Sequence, residues 1–262
     1  SRTLAPLAQI ANLFGRANNA KTSYKRLASF MEETQEDDVS EKNKGAIRRE
    51  KLGSIEFKDT TYRYPEADID TLRNINLSVN EGEKVAILGR NGSGKSTLMK
   101  LASGLFKASD GLVMYDGVDI KQLHTDDLSR SIGIVLQDVQ LFSGSIRENI
   151  TMGRKDLSQD DLINAGNLSG LDDFVSKIPG GYDLQLSDGG KGLSGGQRQS
   201  IALARAIVHQ PSHFILDEPT SAMDMNAENI FINQMASIMQ NSTMLIVTHR
   251  MPLLNLSLIH IS

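Results

Sequence analysis

A stretch of nine residues, 89–97, has the residue types and the spacing of a phosphate-binding loop (P-loop). Its sequence is Gly-Arg-Asn-Gly-Ser-Gly-Lys-Ser-Thr, and it connects a short apolar run, 85–88, to a segment of helical character. Glycines let a backbone curl until successive N–H groups point at phosphate oxygens, and a helix N-terminus adds further donors. In such a loop Lys95 can contact the outer phosphates of a nucleotide, and Ser96 can offer its hydroxyl to Mg²⁺. The predicted phosphate-binding residues are Gly89, Arg90, Asn91, Gly92, Ser93, Gly94, Lys95, Ser96 and Thr97.

Three later runs, 132–136, 214–216 and 244–247, are apolar on both faces, as buried parallel strands are. Polar residues that could take part in binding or catalysis follow each run within two positions, and ligands collect at the carboxyl ends of parallel strands. We therefore expect these residues to converge with the P-loop at one edge of one sheet. They are Gln137, Asp217, Glu218 and His249.

Other segments indicate how the chain positions these residues. Residues 54–58, 61–64 and 72–79 alternate between apolar and polar side chains, and 112–115 runs into an Asp-Gly turn. These patterns predict a small antiparallel sheet beside the first parallel strand.

The stretch between Gln137 and Asp217 is too long to be a simple connection between two strands. Its pattern is mostly helical, so we expect an inserted helical subdomain at about 138–208. The chain as a whole is predicted to be an α/β protein with a mainly parallel sheet. The helical segments expected within the insertion are 160–168, 171–177 and 195–208.

The composition is that of an ordinary globular protein, with 262 residues, 39% hydrophobic and 23% charged. The net charge of −4 and the pI of about 5.8 argue against a basic footprint, so we expect no nucleic-acid partner. The chain contains no cysteine, which excludes disulfides and thiolate metal sites. No apolar run approaches the roughly 18 residues of a transmembrane helix.

The first fifty residues divide into two segments of different character. Between Leu4 and Met31 the apolar residues recur at helical spacing, which predicts one long helix or two shorter ones. Such a helix packs either on its own domain or on a part that this chain lacks, and the second interpretation is favoured. Residues 34–52 contain few apolar side chains and are predicted to be a solvated linker.

A second anion-binding pattern, Leu-Ser-Gly-Gly-Gln at 193–197, lies directly before a strongly helical segment. With this pattern the chain resembles the nucleotide-binding domain of ATP-binding-cassette (ABC) transporters, over about 53–256. The resemblance implies a P-loop NTPase (RecA-like) core. The matching motifs, in the family's order, are the Walker A loop 89–97, the Q-loop Gln137, the signature 193–197, the Walker B run 214–217, Glu218, the D-loop 221–224 and the switch His249.

The resemblance implies ATP and Mg²⁺ as cofactors and a role for each polar residue. Glu218 is then the general base that polarises the attacking water, and His249 contacts the γ-phosphate and keeps Glu218 in place. Gln137 senses Mg²⁺ and water and passes the state of the site to a membrane domain. The implied catalytic residues are Glu218, His249, Gln137 and Lys95, and the implied Mg²⁺ ligands are Ser96, Gln137 and Asp217.

Tyr64, directly before Pro65, resembles the aromatic residue that stacks on adenine in this family. Two alternatives remain open. Tyr64 can instead pack on the core as an ordinary strand residue, and Tyr62 competes for the same role.

The signature residues have a role only in a dimer. In the family they contact the γ-phosphate of ATP that is bound to the P-loop of a second copy. The resemblance therefore implies a head-to-tail homodimer that encloses two ATP molecules. The residues concerned are Ser194, Gly195, Gly196 and Gln197.

Residues 137–150 are similar to the exporter version of the segment after the Q-loop, and residues 1–10 are similar to type I secretion exporters of RTX toxins and adhesins. The resemblance implies a position at the cytoplasmic face of the bacterial inner membrane. Residues 1–33 would then be the cytoplasmic end of the last transmembrane helix, and 53–262 the nucleotide-binding domain. The implied partners are the protein's own transmembrane domain, a periplasmic adaptor, an outer-membrane channel and an exported protein.

Alternative interpretations are the ATPase subunit of an importer, a soluble ABC ATPase without a transport role, and a catalytically inactive partner. Glu218, His249 and the intact signature argue against the last of these.

Three features depart from the family's pattern. Before the signature, exporters usually have a Gly-Glu-Arg-Gly-like loop that contacts the membrane domain, and here residues 186–192 keep the acid as Asp188 but lack the arginine, which puts that contact in doubt. His213 occupies a position where the Walker B strand usually has an apolar residue, and we expect it to be partly exposed at the start of that strand. The resemblance ends near Leu256, and residues 257–262 do not resemble the expected continuation of strands and a terminal helix. We therefore expect a nucleotide-binding domain that is truncated at its C-terminus.

Overall fold

The computed structural model describes residues 19–28, 43, 45–221, 223–254 and 259–261. It divides into two units, Ser1–Ala46 and Ile47–Ser262. In the first unit residues 19–28 form helix α1, which is exposed over 19–27. The rest of the predicted helical segment 1–33 and most of the predicted linker 34–52 lie outside the described residues. Among the described residues, no helix combines the length and the hydrophobicity needed to cross a membrane.

The second unit contains eleven strands and eight α-helices within its described residues. The strands are β1 (Ile55–Tyr62), β2 (Leu72–Val79), β3 (Lys84–Ile87), β4 (Asp110–Tyr115), β5 (Val118–Asp119), β6 (Ile132–Val135), β7 (Gly144–Ser145), β8 (Gln185–Leu186), β9 (His213–Asp217), β10 (Thr243–Val247) and β11 (Ile259–Ile261). The helices are α2 (Lys95–Ala102), α3 (Thr125–Ser131), α4 (Ile146–Thr151), α5 (Gln159–Leu168), α6 (Asp172–Val175), α7 (Gly195–Ile207), α8 (Met225–Ile238) and α9 (Met251–Leu254).

A five-stranded parallel sheet forms the centre of this unit, in the order β11-β3-β10-β9-β6. Val247 in β10 lies opposite Asp217 in β9 on one side and opposite Ile87 in β3 on the other. The carboxyl ends of the three strands therefore meet at one edge of the sheet, as the apolar runs predicted.

Both faces of this sheet are buried, because alternate residues of its strands belong to two separate hydrophobic clusters. Ile215 and Leu245 pack in the cluster that contains α2 and the antiparallel sheet. Phe214 and Met244, their neighbours in sequence, pack in the cluster that contains the helices between 146 and 207. Burial on both faces explains why these strands have continuous apolar sequences.

The antiparallel sheet has the order β2-β1-β4-β5. The two alternating segments 54–58 and 61–64 were predicted to be separate strands, but residues 55–62 form the single strand β1. Its pairing with β2 shifts register between Phe57 and Thr60, and Asp59 between them has φ 46°. This irregularity bends one strand without ending it, and it interrupts the alternation that suggested two strands.

Helices α5, α6 and α7 confirm the helical segments expected between Gln137 and Asp217, although α6 is shorter than its pattern suggested. Three helices of this region begin with a capping box, in which a serine side chain and the third helical residue bond each other's backbone N–H. The pairs are Ser145 with Glu148, Ser158 with Asp161, and Ser194 with Gln197.

The expectation that His213 is partly exposed is wrong, because His213 is fully buried (0% exposed). Its Nε2 lies 2.7 Å from the Gly53 carbonyl oxygen, and its Nδ1 lies 3.0 Å from the Ser212 hydroxyl. The ring also meets Tyr115 edge to face, with centroids 5.2 Å apart. A histidine is tolerated in the buried strand because both of its ring nitrogens have partners.

The C-terminal segment also differs from expectation in one respect. Residues 259–261 pair in parallel with β3 and add an edge strand to the central sheet, although their sequence did not resemble a continuation of it. Residues 255–258 and Ser262 lie outside the described residues.

Candidate active site

The P-loop connects β3 to α2, and its geometry suits anion binding. Helix α2 begins at Lys95, and Gly94 precedes it with φ 91°, a left-handed conformation that favours glycine. A Cβ at Gly94 would lie 2.7 Å from Leu72 Cδ2, so the position also lacks space for a side chain. The Leu98 amide donates to the Gly94 carbonyl at 2.9 Å, which leaves the first amides of α2 free of partners within the helix.

Lys95 folds back over the loop that precedes it. Its ammonium group donates to the carbonyl oxygens of Gly89 and Arg90 at 2.7 and 2.8 Å. The Ser93 amide donates to the Arg90 carbonyl at 3.2 Å, which closes the turn. The loop therefore holds a cation at its centre, where it can meet an anion.

Asp217 is the last residue of β9 and is buried (2% exposed). Burial raises the pKa of its carboxyl above the ordinary value, while a hydrogen bond with Ser96 lowers it. Its Oδ1 is one of two buried side-chain atoms without a hydrogen-bond partner among the described residues. A buried carboxylate oxygen without a donor is unusual, and a cation is a suitable partner for it.

Glu218 follows Asp217 with φ 46°, a left-handed conformation that is strained in a residue other than glycine. Strain of this kind costs about 1–3 kcal/mol and is concentrated at functional sites. The Glu218 amide donates to the Val247 carbonyl at 2.9 Å, and its carbonyl accepts from the Ser221 amide at 3.1 Å. The side chain lies beside His249, whose Nε2 is 3.6 Å from Glu218 Oε1.

These groups surround one cavity of about 440 Å³, which is within the size range of small-molecule sites. The predicted convergence of the P-loop with the three strand ends is therefore confirmed. Thr71 also lines the cavity, and no motif or periodic pattern pointed to it. The predicted residues that line it are Asn91, Gly92, Gly94, Lys95, Ser96, Thr97, Gln137, Asp217, Glu218 and His249.

The signature residues lie elsewhere. Ser194 caps helix α7, and with Gly195, Gly196 and Gln197 it lines a second cavity of about 610 Å³. None of the four lines the P-loop cavity. Within one chain the structure therefore does not bring the two predicted anion sites together.

The two candidate tyrosines have different surroundings. Tyr62 is buried (7% exposed) and stacks on Phe106, with ring centroids 5.1 Å apart. Tyr64 is 36% exposed, and its hydroxyl lies 3.0 Å from the hydroxyl of Thr97 in the P-loop. Of the two rings, Tyr64 is the one that a planar ligand beside the P-loop can reach.

A family model for ABC transporters matches residues 72–221, which is more than half of the chain. The chain therefore belongs to the ABC transporter family.

Similar proteins confirm the resemblance to exporters of protein toxins. The cyclolysin secretion/processing ATP-binding protein CyaB of Bordetella pertussis is 39% identical over 246 residues, which cover 94% of this chain and 34% of CyaB. The alpha-hemolysin translocation ATP-binding protein HlyB of Escherichia coli O157:H7 is 38% identical over 250 residues, which cover 95% of this chain and 35% of HlyB. The chain thus spans about a third of the length of the curated relatives it matches.

Among solved structures, a bacterial Atm1-family ABC exporter with ATP bound matches this chain with a TM-score of 0.71 and 32% identity. The match covers 78% of this chain and 35% of the exporter chain. The predicted α/β fold with its mainly parallel sheet is confirmed.

Proposed function

We propose that the chain is the ATPase domain of a bacterial type I secretion exporter, in which ATP hydrolysis drives the export of a protein. The observation that carries the proposal is the convergence of the P-loop, Asp217, Glu218 and His249 around one cavity. The names of the relatives, which describe cyclolysin secretion and alpha-hemolysin translocation, support the direction of transport.

Glu218 is the proposed general base. Its side chain is 25% exposed at the cavity wall, so a water molecule can reach the carboxylate. As the water oxygen bonds to the γ-phosphorus, its proton passes to Glu218. The bond from the γ-phosphorus to the bridging oxygen then breaks, and ADP leaves with the electron pair. His249 orients the Glu218 carboxylate from 3.6 Å and donates to the γ-phosphate.

The P-loop residues and Tyr64 bind the nucleotide in this proposal. The amides of 89–97 surround the phosphates, and Lys95 exchanges its bonds with the Gly89 and Arg90 carbonyls for bonds to phosphate oxygens. Tyr64 stacks on the adenine, beside the start of the helix that holds the phosphates.

The proposed Mg²⁺ site fits the residues present. Ser96, Gln137 and Asp217 all line the cavity, and each offers the oxygen ligands that Mg²⁺ prefers. The unpartnered Oδ1 of Asp217 supports this assignment. When bound, Mg²⁺ neutralises charge on the outer phosphates.

The separation of the signature from the P-loop supports the proposed homodimer. Because Ser194, Gly195, Gly196 and Gln197 do not line the P-loop cavity of their own chain, they are available to the ATP of a second copy. Helix α7 presents its first amides at the second cavity, the one of about 610 Å³, as an anion site requires. Two copies arranged head to tail then enclose two ATP molecules.

The relatives, which extend well beyond the matched region, support the wider setting that we propose. We place residues 1–33 at the cytoplasmic end of the last transmembrane helix, 34–52 as a linker, and 53–262 as the nucleotide-binding domain with its helical subdomain at about 138–208. The proposed location is the cytoplasmic face of the bacterial inner membrane. The proposed partners are the protein's own transmembrane domain, a periplasmic adaptor, an outer-membrane channel and the exported protein.

Light scattering of the full chain with Mg²⁺·ATP tests the shared-site mechanism. Glu218→Gln should form a stable ATP-bound dimer, whereas the wild type should hydrolyse ATP and return to monomer. Glu56→Gln, a change at a half-buried carboxylate in β1, is the matched control and should behave like the wild type. A Glu218→Gln protein that hydrolyses ATP at the wild-type rate would exclude Glu218 as the base.

A domain exchange tests the export direction. The chain replaces the matching region of HlyB, and secretion of alpha-hemolysin is measured in cells. We expect secretion with the wild-type chain and none with Glu218→Gln. An exchanged protein that hydrolyses ATP but secretes no hemolysin would contradict the assignment to type I secretion.

A further inference from the structure

The strained backbone at Glu218 begins a turn that is held from several directions. Pro219 follows it, and the side chain of the next residue, Thr220, is buried (1% exposed). The Thr220 hydroxyl donates to Glu228 Oε1 at 2.8 Å. The position of the turn therefore depends on a carboxylate in helix α8.

Glu228 is itself buried (5% exposed), which is unusual for a carboxylate unless it is paired. Its second oxygen, Oε2, lies 3.0 Å from Arg250 Nη1. Both carboxylate oxygens therefore have a partner, one from the turn after Glu218 and one from the segment after His249.

Arg250 contacts the same turn directly. Its Nη2 lies 3.4 Å from the carbonyl oxygens of both Ser221 and Met223. Its backbone amide donates to the Thr248 hydroxyl at 3.0 Å, and Thr248 is buried directly after β10. Arg250 thus joins the residues that precede it to the turn that begins at Glu218.

We propose that Glu228 and Arg250 are positioning residues that hold the turn after Glu218 against the His249 segment and thereby fix Glu218 for proton transfer. This inference rests on the proposed role of Glu218 as general base. Neither side chain lines the P-loop cavity, so both act through Glu218 and His249. The pair sets the rate of hydrolysis and leaves ATP binding to the P-loop.

The kinetic test compares kcat and KM for ATP hydrolysis by the full chain. Arg250→Met keeps the apolar stem but removes the guanidinium, and Glu228→Gln removes the charge but keeps the shape. We expect kcat to fall by about tenfold or more in both variants while KM stays within about twofold. Arg250→Lys should be intermediate, because a single ammonium can pair with Glu228 but cannot also reach both carbonyls.

Arg147→Met is the matched control. Arg147 is exposed to the same extent as Arg250 (36%) and forms an ion pair with Asp183 at 2.8 Å, but it lies in α4, outside the site. Its loss should leave kcat unchanged within about twofold.

Amide hydrogen exchange provides a readout that does not depend on turnover. The amides of Ser221 and Met223 donate to the carbonyls of Glu218 and Thr220. In Arg250→Met their exchange should accelerate by about tenfold, while the Leu98 amide in α2 should keep its wild-type rate. Equal acceleration at Leu98 would overturn the proposal, since it would show a general loss of stability.

The two readouts separate this inference from the proposed function. If the wild type does not hydrolyse ATP but exchange accelerates only at Ser221 and Met223, the positioning contacts stand and the ATPase assignment fails. If the wild type hydrolyses ATP while Arg250→Met and Glu228→Gln match Arg147→Met in kcat and exchange, the positioning role is wrong.

Discussion

His249 Nε2 lies 3.6 Å from Glu218 Oε1, so the polar residue beyond the end of β10 faces the carboxylate beyond the end of β9. The contact exists because β9 and β10 are parallel neighbours in which Val247 pairs with Asp217. In the proposed mechanism, replacing the imidazole removes both the group that orients Glu218 and a donor at the cavity wall. We expect His249→Ala to lower kcat for ATP hydrolysis by about a hundredfold.

Affinity for ATP should change little in this variant, because the P-loop contacts remain. Steady-state kinetics measures the change in kcat, and calorimetric titration with ATP measures the affinity. His209→Gln, a histidine change away from the cavity, should retain wild-type kcat. Wild-type turnover in His249→Ala would remove His249 from the mechanism.

Tyr64 and Tyr62 provide a second comparison, this time of nucleotide affinity. Base–aromatic stacking contributes about 1–3 kcal/mol, so Tyr64→Ala should weaken ATP binding by roughly 5- to 150-fold. Tyr64→Phe keeps the ring and loses only the contact with Thr97, and its loss of affinity should stay below about tenfold. Titration calorimetry with ATP measures both.

The control is Tyr24→Ala, since Tyr24 is an exposed tyrosine of the first unit. If Tyr64→Ala binds ATP as tightly as Tyr24→Ala does, the adenine lies elsewhere. A change at Tyr62 is less informative, because this buried ring stacks on Phe106 and its loss would disturb the core.

The edge of the central sheet at which the candidate site lies could be predicted, because each strand is recognisable from its own short stretch of sequence. A parallel strand that is buried on both faces is apolar at most positions, so the runs 132–136, 214–216 and 244–247 were visible without any knowledge of their neighbours. Once these strands are parallel, the residues that follow them are brought to the same edge, and Gln137 and His249 line one cavity.

Features that depend on partners far along the chain were not predictable. His213 lies 160 residues from Gly53, and a histidine in an apolar run gives no sign of the carbonyl that accommodates it. The left-handed backbone of Glu218 and the pairing of Glu228 with Arg250 likewise depend on how the loops pack. The sequence places Arg250 beside His249 but does not show which carboxylate it meets.

Gly94 offers a test of the P-loop geometry. An alanine there must adopt φ 91° and place its Cβ 2.7 Å from Leu72 Cδ2 and 3.2 Å from the Thr71 carbonyl. We expect Gly94→Ala to destabilise the chain by about 2–4 kcal/mol, from backbone strain and the clash together, and to lose measurable ATP binding. Denaturant unfolding and ATP titration measure these effects.

Gly117→Ala isolates the backbone contribution. Gly117 has φ 73° in the hairpin between β4 and β5, and a Cβ there would meet no described atom within 4 Å beyond its chain neighbours. Its replacement should cost about 1–2 kcal/mol and leave ATP binding intact. Equal destabilisation by the two changes would mean that the contact with Leu72 adds nothing.

His213 makes the stability of the chain depend on pH. Burial lowers the pKa of its imidazole below the ordinary value of 6.5, and the bond to the Gly53 carbonyl opposes this only in part. Below pH 6.5 the unfolded chain therefore binds a proton that the folded chain excludes. The stabilisation is fully present above the unfolded pKa and is lost as the pH falls below it.

One such histidine contributes at most about 1.4 kcal/mol per pH unit, and His213→Phe should reduce the slope of unfolding free energy between pH 6.5 and 5.5. Urea unfolding at several pH values measures the slope. Thr243→Val is the matched control, because the Thr243 hydroxyl donates to the same Gly53 carbonyl at 3.1 Å but does not titrate. It should lower stability equally at every pH in this window. A His213→Phe protein with the wild-type slope would show that another group carries the pH dependence.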